Sequence, residues 1–355
     1  MKKIAFDKSP LVSGHSSRGM GVYTKRLLES LEEEFKEQKK LKLVPVVFSA
    51  NKEKLAKFNL VHYTSFDLFY HTLPLVKPTK TIVTVPDVIP LIYPKHYPPG
   101  IRGKINFFLQ KISLKSVDAV ITISETSKKD IVNYLGVKSE KVFVTKLAGN
   151  FTVKKSSPNL IRKVRQKYNL PNSFILYIGD VNWNKNLLRL IKAVKKINKT
   201  LVIVGKSAVN ENYDRYHIEN APLRKIQEKY GHDKQIMRLG FVEDDDLNVI
   251  WQLASVYCMP SLYEGFGLPV VEAMGARVPV ACSDTPALKE IAGNAALYFN
   301  PTKVDDIANK LLQLLKSRSL QKKLVEKGEK SSKKYSWSKT AKETLKVYRE
   351  ILNRS

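Results

Sequence analysis

A chain of 355 residues with 43% hydrophobic residues has room for two globular domains with sizeable cores. No apolar stretch reaches the ~20 residues of a membrane-spanning helix. The opening MKKIAFDKSP meets Asp7 too early for a signal peptide, and two cysteines, Cys258 and Cys282, have neither disulfide-framework nor metal-ligand spacing. These features lead to the expectation of a cytoplasmic protein. The net charge of +28 is spread along the chain, with lysine dominant over arginine. Such a charge fits a solvated lysine-rich surface or attraction to an anionic membrane face. Nucleic acid is not the expected partner, because no zinc finger, aromatic ribonucleoprotein motif or arginine-rich arm accompanies the charge.

In chain order, KKIAFD reads as a strand, 22–40 as a helix, and LVPVVFS, NLVHYT and KTIVTVPD as strands. A helix is expected over 100–116, then the strand DAVITIS, a helix over 126–135 and the strand KVFVTKL. Apolar runs alternating with helical patterns imply βα units on a parallel sheet. The polar, basic segment 151–172 reads as a linker with one short helix. The series then restarts with SFILYIGD, a helix over 186–197, and the runs LVIVG, IMRLGF, ASVYCMP and RVPVACS. An amphipathic helical tail over 303–330 and a helix over 338–352 close the chain. Two successive α/β series of similar size predict two Rossmann-like domains.

The run SLYEGFGLPVVEAMG carries the chemistry. Glu264 is read as closing a buried strand, Gly265, Phe266 and Gly267 as a tight turn, and Pro269 as the start of a helix with Glu272 in its first turn. A strand, a glycine turn and a helix start present backbone N–H groups and a positive dipole end to a phosphate. Two carboxylates there make sense as acceptors from hydroxyls flanking that phosphate, and a ligand with hydroxyls on both sides of a diphosphate is a nucleotide sugar. The bland reading has Glu272 improving its helix start and Glu264 solvated in a turn. Earlier, GDVNWNKN follows a strand and opens a helix, placing Gly179 at the turn and Lys185 where a diphosphate would lie. Gly19 and Gly21 in SSRGMGVYT are read as a glycine pair ahead of a helix, allowing close backbone approach to a ligand.

Five segments in order resemble retaining glycosyltransferases of family 4, of the mannosyltransferase kind. They are MGVYTKRLLESL, ITISETSKKDIV, LYIGDVNWNKNL, RLGFVEDDDLNVIWQLASVYCMPSLYEGFGLPVVEAMG and YSWSKTAKETLKVYREIL. The resemblance implies the GT-B fold, an α/β architecture of two Rossmann-like domains facing across a cleft. An acceptor-binding domain would span 1–150, a nucleotide-sugar-binding domain 151–335, and a C-terminal helix, 336–355, would cross back onto the first domain. It further implies transfer of a hexose, of mannose or glucose type, from a GDP- or UDP-linked sugar to a glycan or lipid-linked acceptor in cell-surface polysaccharide synthesis. Configuration would be retained without a metal, and no Asp-x-Asp cluster suited to Mg²⁺ or Mn²⁺ is read in the chain.

By the same resemblance Lys185 meets the diphosphate and Glu264 contacts the donor sugar. Glu272 holds the ribose, and the backbone near Val242 meets the base. Gly265, Phe266, Gly267 and Leu268 form the donor loop, with Gly19, Gly21 and Gly179 lining the approach. Where related sequences read His-Asp, this chain reads Pro86-Asp87, so a donor-sugar contact is replaced. Asp87 is expected to orient the acceptor or its loop, against a bland reading in which it caps a turn before Pro90. In GIRGKINFFLQKISLKSVD, Ile105, Phe108, Leu109 and Ile112 share a helical face ringed by Arg102, Lys104, Lys111 and Lys115. It reads either as docking on an anionic membrane, which would make the protein peripheral, or as a core-facing helix with a solvated back. The rival functions are a sugar-nucleotide epimerase of the same fold, which needs acid/base groups in the cleft, and a nucleotide-sugar-binding protein without turnover.

Overall fold

The computed structural model describes residues 1–12, 19–48, 52–149 and 155–354. The chain forms two compact units, one of Met1–Ala148 with Tyr335–Ser355 and the other of Gly149–Lys334.

The first unit begins β1 (Lys2–Asp7), α1 (Gly19–Lys36), β2 (Leu41–Val46), β3 (Leu60–Tyr63) and β4 (Lys80–Thr84). It continues α2 (Ile89–Ile92), α3 (Gly100–Lys115), β5 (Ala119–Thr122), α4 (Glu125–Asp130) and β6 (Val142–Val144). The second unit runs α5 (Pro158–Lys167), β7 (Ile175–Ile178), α6 (Leu187–Lys196), β8 (Leu201–Val204), α7 (Ala221–Tyr230) and β9 (Ile236–Gly240). It goes on through α8 (Asp244–Leu253), β10 (Val256–Met259), α9 (Leu268–Gly275), β11 (Val280–Ser283) and α10 (Pro286–Ala292). It closes with β12 (Ala296–Phe299), α11 (Val304–Lys316) and α12 (Arg318–Ser332), after which α13 (Trp337–Asn353) returns to the first unit.

Each unit holds a six-stranded sheet, ordered β2-β1-β3-β4-β5-β6 and β12-β11-β10-β7-β8-β9, and the strand pairs are parallel. Parallel strands covered on both faces read as continuous apolar runs. In the first unit Ile4, Phe6, Leu60, Ile82 and Ile121 face α1 and α13, meeting Leu27, Leu31, Leu345, Tyr348 and Ile351. The alternate residues Ala5, Val61, Val83 and Val120 face the opposite layer, which includes Leu114 of α3 and Ile131. The second sheet packs Ile175, Leu201, Ile203, Val256 and Cys258 against Leu187, Leu190, Ile191 and Val194 of α6 and Leu311 of α11.

A buried polar chain fixes α13. His62 of β3 is fully buried, with Nδ1 2.6 Å from the Tyr348 hydroxyl and Nε2 2.8 Å from Thr84 Oγ1. The Tyr23 hydroxyl of α1 lies 3.1 Å from the same Thr84 oxygen. Two strands and two helices thus share one hydrogen-bonded string inside an apolar layer. Desolvation pushes the His62 pKa down to about 3, so the ring is neutral.

The short helix expected within 151–172 is α5, whose Val164 is buried; Lys167 at its end and Tyr168 after it donate to Asp246 of α8, which ties the segment to the second unit. Three boundaries differ from expectation. Helix α1 runs from Gly19 to Lys36 rather than over 22–40, so Gly19 and Gly21 occupy its first turn and Gly21 is buried. The tail over 303–330 is two helices, separated at Ser317, which caps α12. The strand β12, ALYF, was not foreseen because four residues in a Gly- and Ala-rich stretch carry no clear alternation.

Candidate donor site at the switch point of the second sheet

The second sheet reverses its strand order between β7 and β10. In open α/β sheets ligands bind beyond the carboxyl ends of strands at such a reversal. The loop after β7 carries Lys185 and the loop after β10 carries Glu264. Adjacent strands therefore bring together two residues that lie 79 positions apart.

The two loops are stitched to each other. Leu262 N–H donates to the Asn184 carbonyl at 2.7 Å, and Asn184 Nδ2 donates to the Tyr263 carbonyl at 3.1 Å. Asn186 caps α6 in the left-handed region at φ 56°, a conformation asparagine tolerates better than most residues. Its Nδ2 donates to the carbonyls of Pro260 and Pro301 at 2.9 and 2.8 Å. On this frame Lys185 Nζ lies 2.7 Å from Glu264 Oε1, with the carboxylate side chain 8% exposed and the ammonium side chain 22%. A nearly buried carboxylate needs such a partner to stay charged.

Glu264 lies five residues beyond the last residue of β10, in the loop rather than at the strand end. Gly265, Phe266 and Gly267 follow, all buried. Gly267 caps α9 at φ 100°, and a Cβ there would stand 2.5 Å from Leu288 Cδ2 of α10. The positive φ favours glycine, and a Cβ would also have to displace the Leu288 methyl. Helix α9 starts at half-buried Leu268, with Pro269 in its first turn.

Glu272 is not in that first turn. It sits just beyond it, 8% exposed among the buried Val271, Ala273 and Met274. It therefore does not serve as a solvated helix-start residue. The phenol of Tyr257, on β10, is pushed well up by burial, then by the neighbouring Tyr177, Glu264, Cys258 and Glu272. Both carboxylates thus act on one buried hydroxyl and belong to one neighbourhood.

Gly179 follows β7, at φ 152°, and its amide donates to the Val204 carbonyl at 3.0 Å. Its carbonyl oxygen would be 2.3 Å from a Cβ on Gly205, so the loops after β7 and β8 touch backbone to backbone. Val242 follows β9 and is buried, next to Phe241, which is 67% exposed.

The chain does contain one Asp-x-Asp, Asp244-Asp245-Asp246, which the sequence reading passed over. It forms the first turn of α8, and Asp246 accepts from Lys167 Nζ at 2.6 Å and the Tyr168 hydroxyl at 2.8 Å. Acidic residues there suit the positive end of the helix. Among the described residues no group of three or more His, Cys, Asp or Glu is placed to hold a metal ion.

Asp87 belongs to the first unit, where its Oδ1 accepts the Ile89 amide at 3.1 Å at the start of α2. This is the turn-capping geometry. Pro86 uses its carbonyl to accept from Thr122 Oγ1 at 3.3 Å. Gly19 and Gly21 also lie in the first unit. A cavity of about 410 Å³ opens at the carboxyl end of β1, lined by Asp7, Ser9, Phe48, Tyr63, His71 and Thr72 among others. Burial raises the Asp7 carboxyl, opposed by hydrogen bonds from Ser9 and Phe48. Asp7, which lines this cavity, was not among the residues expected at a site. The signal was available, since an acidic residue closing the first strand of a doubly wound sheet lies next to that sheet's own reversal, between β1 and β3.

Residues 161–331 match the family Glycosyl transferases group 1. Over its full length the chain shares its fold with a sucrose-phosphate synthase from Thermosynechococcus elongatus, with a TM-score of 0.75 at 18% identity and all of both chains covered. The second unit carries a glycosyl transferases group 1 domain, and the protein is a glycosyltransferase of the GT-B fold. Among curated relatives it is similar to O-antigen chain mannosyltransferase B of Escherichia coli, 28% identical over 295 residues that span 80% of this chain and 74% of that one. It is also similar to the serotype-specific mannosyltransferase WbdA of Escherichia coli, 28% identical over 78% of this chain, which spans only 34% of that longer protein.

Proposed function

We propose that this glycosyltransferase moves a hexose of the mannose type from a nucleoside-diphosphate sugar onto a glycan or lipid-linked acceptor in the assembly of a cell-surface polysaccharide. The observation that carries the reading is the Lys185–Glu264 pair, held at the sheet's switch point beside the start of α9. The two mannosyltransferase relatives support the sugar and the pathway class.

The chemistry follows from these groups. As the glycosidic C–O bond to the diphosphate breaks, negative charge builds on the departing oxygen. Lys185 and the amides that begin α9 stabilise that charge. Glu264 accepts hydroxyl hydrogen bonds from the sugar, and Glu272 accepts from the ribose hydroxyls. The backbone at Val242 meets the base. The acceptor oxygen attacks the anomeric carbon from the face the diphosphate leaves, forming the new glycosidic bond with retention, and its proton passes to the departing phosphate oxygen. No metal is required, because lysine and helix amides supply the positive charge.

The first unit binds the acceptor. Its cavity combines Asp7, Ser9 and Thr72 with the rings of Phe48 and Tyr63, a mixture suited to a sugar's polar rim and apolar face. Asp87 orients the loop after β4.

Incubating the purified protein with GDP- and UDP-linked hexoses, with and without acceptor glycan, tests the reading. Release of nucleoside diphosphate that rises on adding acceptor supports transfer. Binding of the nucleotide sugar with no release under any acceptor would leave a binding protein. Interconversion of the nucleotide sugar's epimers would establish the rival isomerase.

A further inference from the structure

Helix α3 buries polar side chains beside Leu114 and Phe107, its apolar contacts with the core. A helix on the surface of a unit ordinarily buries its apolar stripe and exposes its polar one. Here Asn106, Gln110 and Ser113, spaced to share one face, are turned toward the unit. Asn106 Nδ2 donates to the Phe69 carbonyl at 2.9 Å, Gln110 Nε2 to the Asp67 carbonyl at 2.7 Å, and Ser113 Oγ to the Leu73 carbonyl at 3.1 Å. The Gln110 side-chain carbonyl also accepts the Leu73 amide at 3.1 Å. Gln110 and Ser113 are fully buried. This face is fixed, because its side chains satisfy the backbone of the loop 67–73.

The opposite face is apolar and open. Ile101 is 81% exposed, Ile105 57%, Phe108 65% and Ile112 41%. At about 100° per residue these four fall within roughly 60° of one another. Single exposed apolar residues are ordinary, but a continuous stripe of three aliphatic side chains and one aromatic is not. Leu109, expected on the same face, is half-buried at its edge.

The flanks say what meets this stripe. Lys104, Lys111 and Lys115 follow one side of it and Arg102 the other, and α3 has no acidic residue. A second protein surface or a second copy of this chain would have to bring its own acids to an apolar stripe lined on both sides by cations. In a chain of net charge +28 a second copy is repelled overall. An anionic lipid bilayer supplies both requirements, acyl chains for the isoleucines and phenylalanine and headgroup phosphates for the lysines and arginine. No helix among the described residues is long and apolar enough to cross a membrane.

We propose that α3 is a membrane-docking helix, lying in the interface of an anionic bilayer with Ile101, Ile105, Phe108 and Ile112 inserted and its basic flanks on lipid phosphates. This surface shares no residue with the donor site, so lipid binding and donor binding are read separately.

Sedimentation with vesicles tests the proposal. The full chain is mixed with phosphatidylglycerol/phosphatidylcholine vesicles or with phosphatidylcholine alone. Binding is expected to the anionic vesicles at low salt, to fall severalfold at high salt, and to be at least tenfold weaker on neutral lipid. Ile105→Ser with Phe108→Ser should lower affinity at least tenfold with an unchanged melting temperature, since both side chains are exposed. Lys104, Lys111 and Lys115→Gln should weaken binding and flatten its salt dependence. Phe108→Trp should shift its emission to the blue on anionic vesicles and not on neutral ones. Equal binding by the serine double variant, or an unshifted tryptophan with anionic vesicles present, overturns the proposal. So does a dimer, seen by light scattering, that the serine variant dissociates while wild-type protein ignores vesicles.

Discussion

Lys185 Nζ and Glu264 Oε1 are 2.7 Å apart, and the pair is held by loops that are themselves cross-bonded through Asn184 and Asn186. Neither side chain is free to be replaced alone. Lys185→Ala should lower kcat/KM on the order of 100-fold, the scale of losing one transition-state charge donor. It also strips a nearly buried carboxylate of its cation. Glu264→Gln should spare stability better than Lys185→Ala, because it removes charge while keeping shape. The double variant should be clearly non-additive, with a coupling of about 1–3 kcal/mol in kcat/KM or unfolding free energy. Additive effects in both measurements would uncouple the pair.

Glu272→Ala should weaken nucleotide binding by more than tenfold, or about 1.4 kcal/mol. Calorimetry with the nucleoside diphosphate alone isolates this contact from the sugar. Glu272→Gln keeps an acceptor oxygen and should recover part of the loss. An affinity equal to wild type in the alanine variant removes Glu272 from the ribose.

Stereochemistry and metal dependence form a third test. The first-formed product, followed by NMR, should carry the donor's anomeric configuration, and turnover should persist in EDTA. An inverted first product, or activity lost on chelation and restored by Mn²⁺, would refute the front-face scheme.

The His62–Tyr348–Thr84 string predicts an acid-sensitive first unit. The folded pKa is lowered from 6.5 to about 3 by burial, so the unfolded chain takes up a proton first as pH falls. The stability contributed by neutral His62 is therefore intact above about pH 6.5. It is lost progressively between there and about pH 3, at up to about 1.4 kcal/mol per pH unit. From pH 7 to pH 5 the loss amounts to about 2 kcal/mol. His62→Gln keeps hydrogen-bonding groups without a proton to gain. Urea unfolding of the two proteins should show the wild type losing more stability across that range. Parallel pH profiles would mean that His62 titrates alike in both states.

The sequence made the architecture legible because parallel strands covered on two faces leave continuous runs such as KTIVT and LVIV. What it could not supply were facts settled by packing. Helix α1 was expected three residues late at its start and four late at its end, because Gly19 and Gly21 resemble a loop by composition although they occupy the first helical turn. Lys185 and Glu264 were each picked out, but no local pattern links positions 79 apart, and their contact depends on β7 pairing with β10. Glu272 falls just beyond the first turn rather than within it, because the helix begins at Leu268, one residue before the start that Pro269 suggests. For α3 the spacing fitted two opposite orientations. The choice between them rests on hydrogen bonds from Gln110 and Ser113 to a loop some forty residues upstream, information absent from the helix itself.

The return of α13 to the first unit also sets an order of events during synthesis. Strands β1 to β6 leave the ribosome early, yet the sheet face formed by Ile4, Phe6, Leu60 and Ile82 receives Leu345, Tyr348 and Ile351 only once the second unit has been made and α13 emerges. At about 5–20 residues per second, the intervening second unit is made over some tens of seconds and can fold as a contiguous piece. Throughout that interval α1 alone covers this greasy layer, and His62 inside it lacks the Tyr348 hydroxyl. Chains truncated before Trp337 should therefore persist as chaperone clients or aggregates, although nothing at the donor site is missing from them.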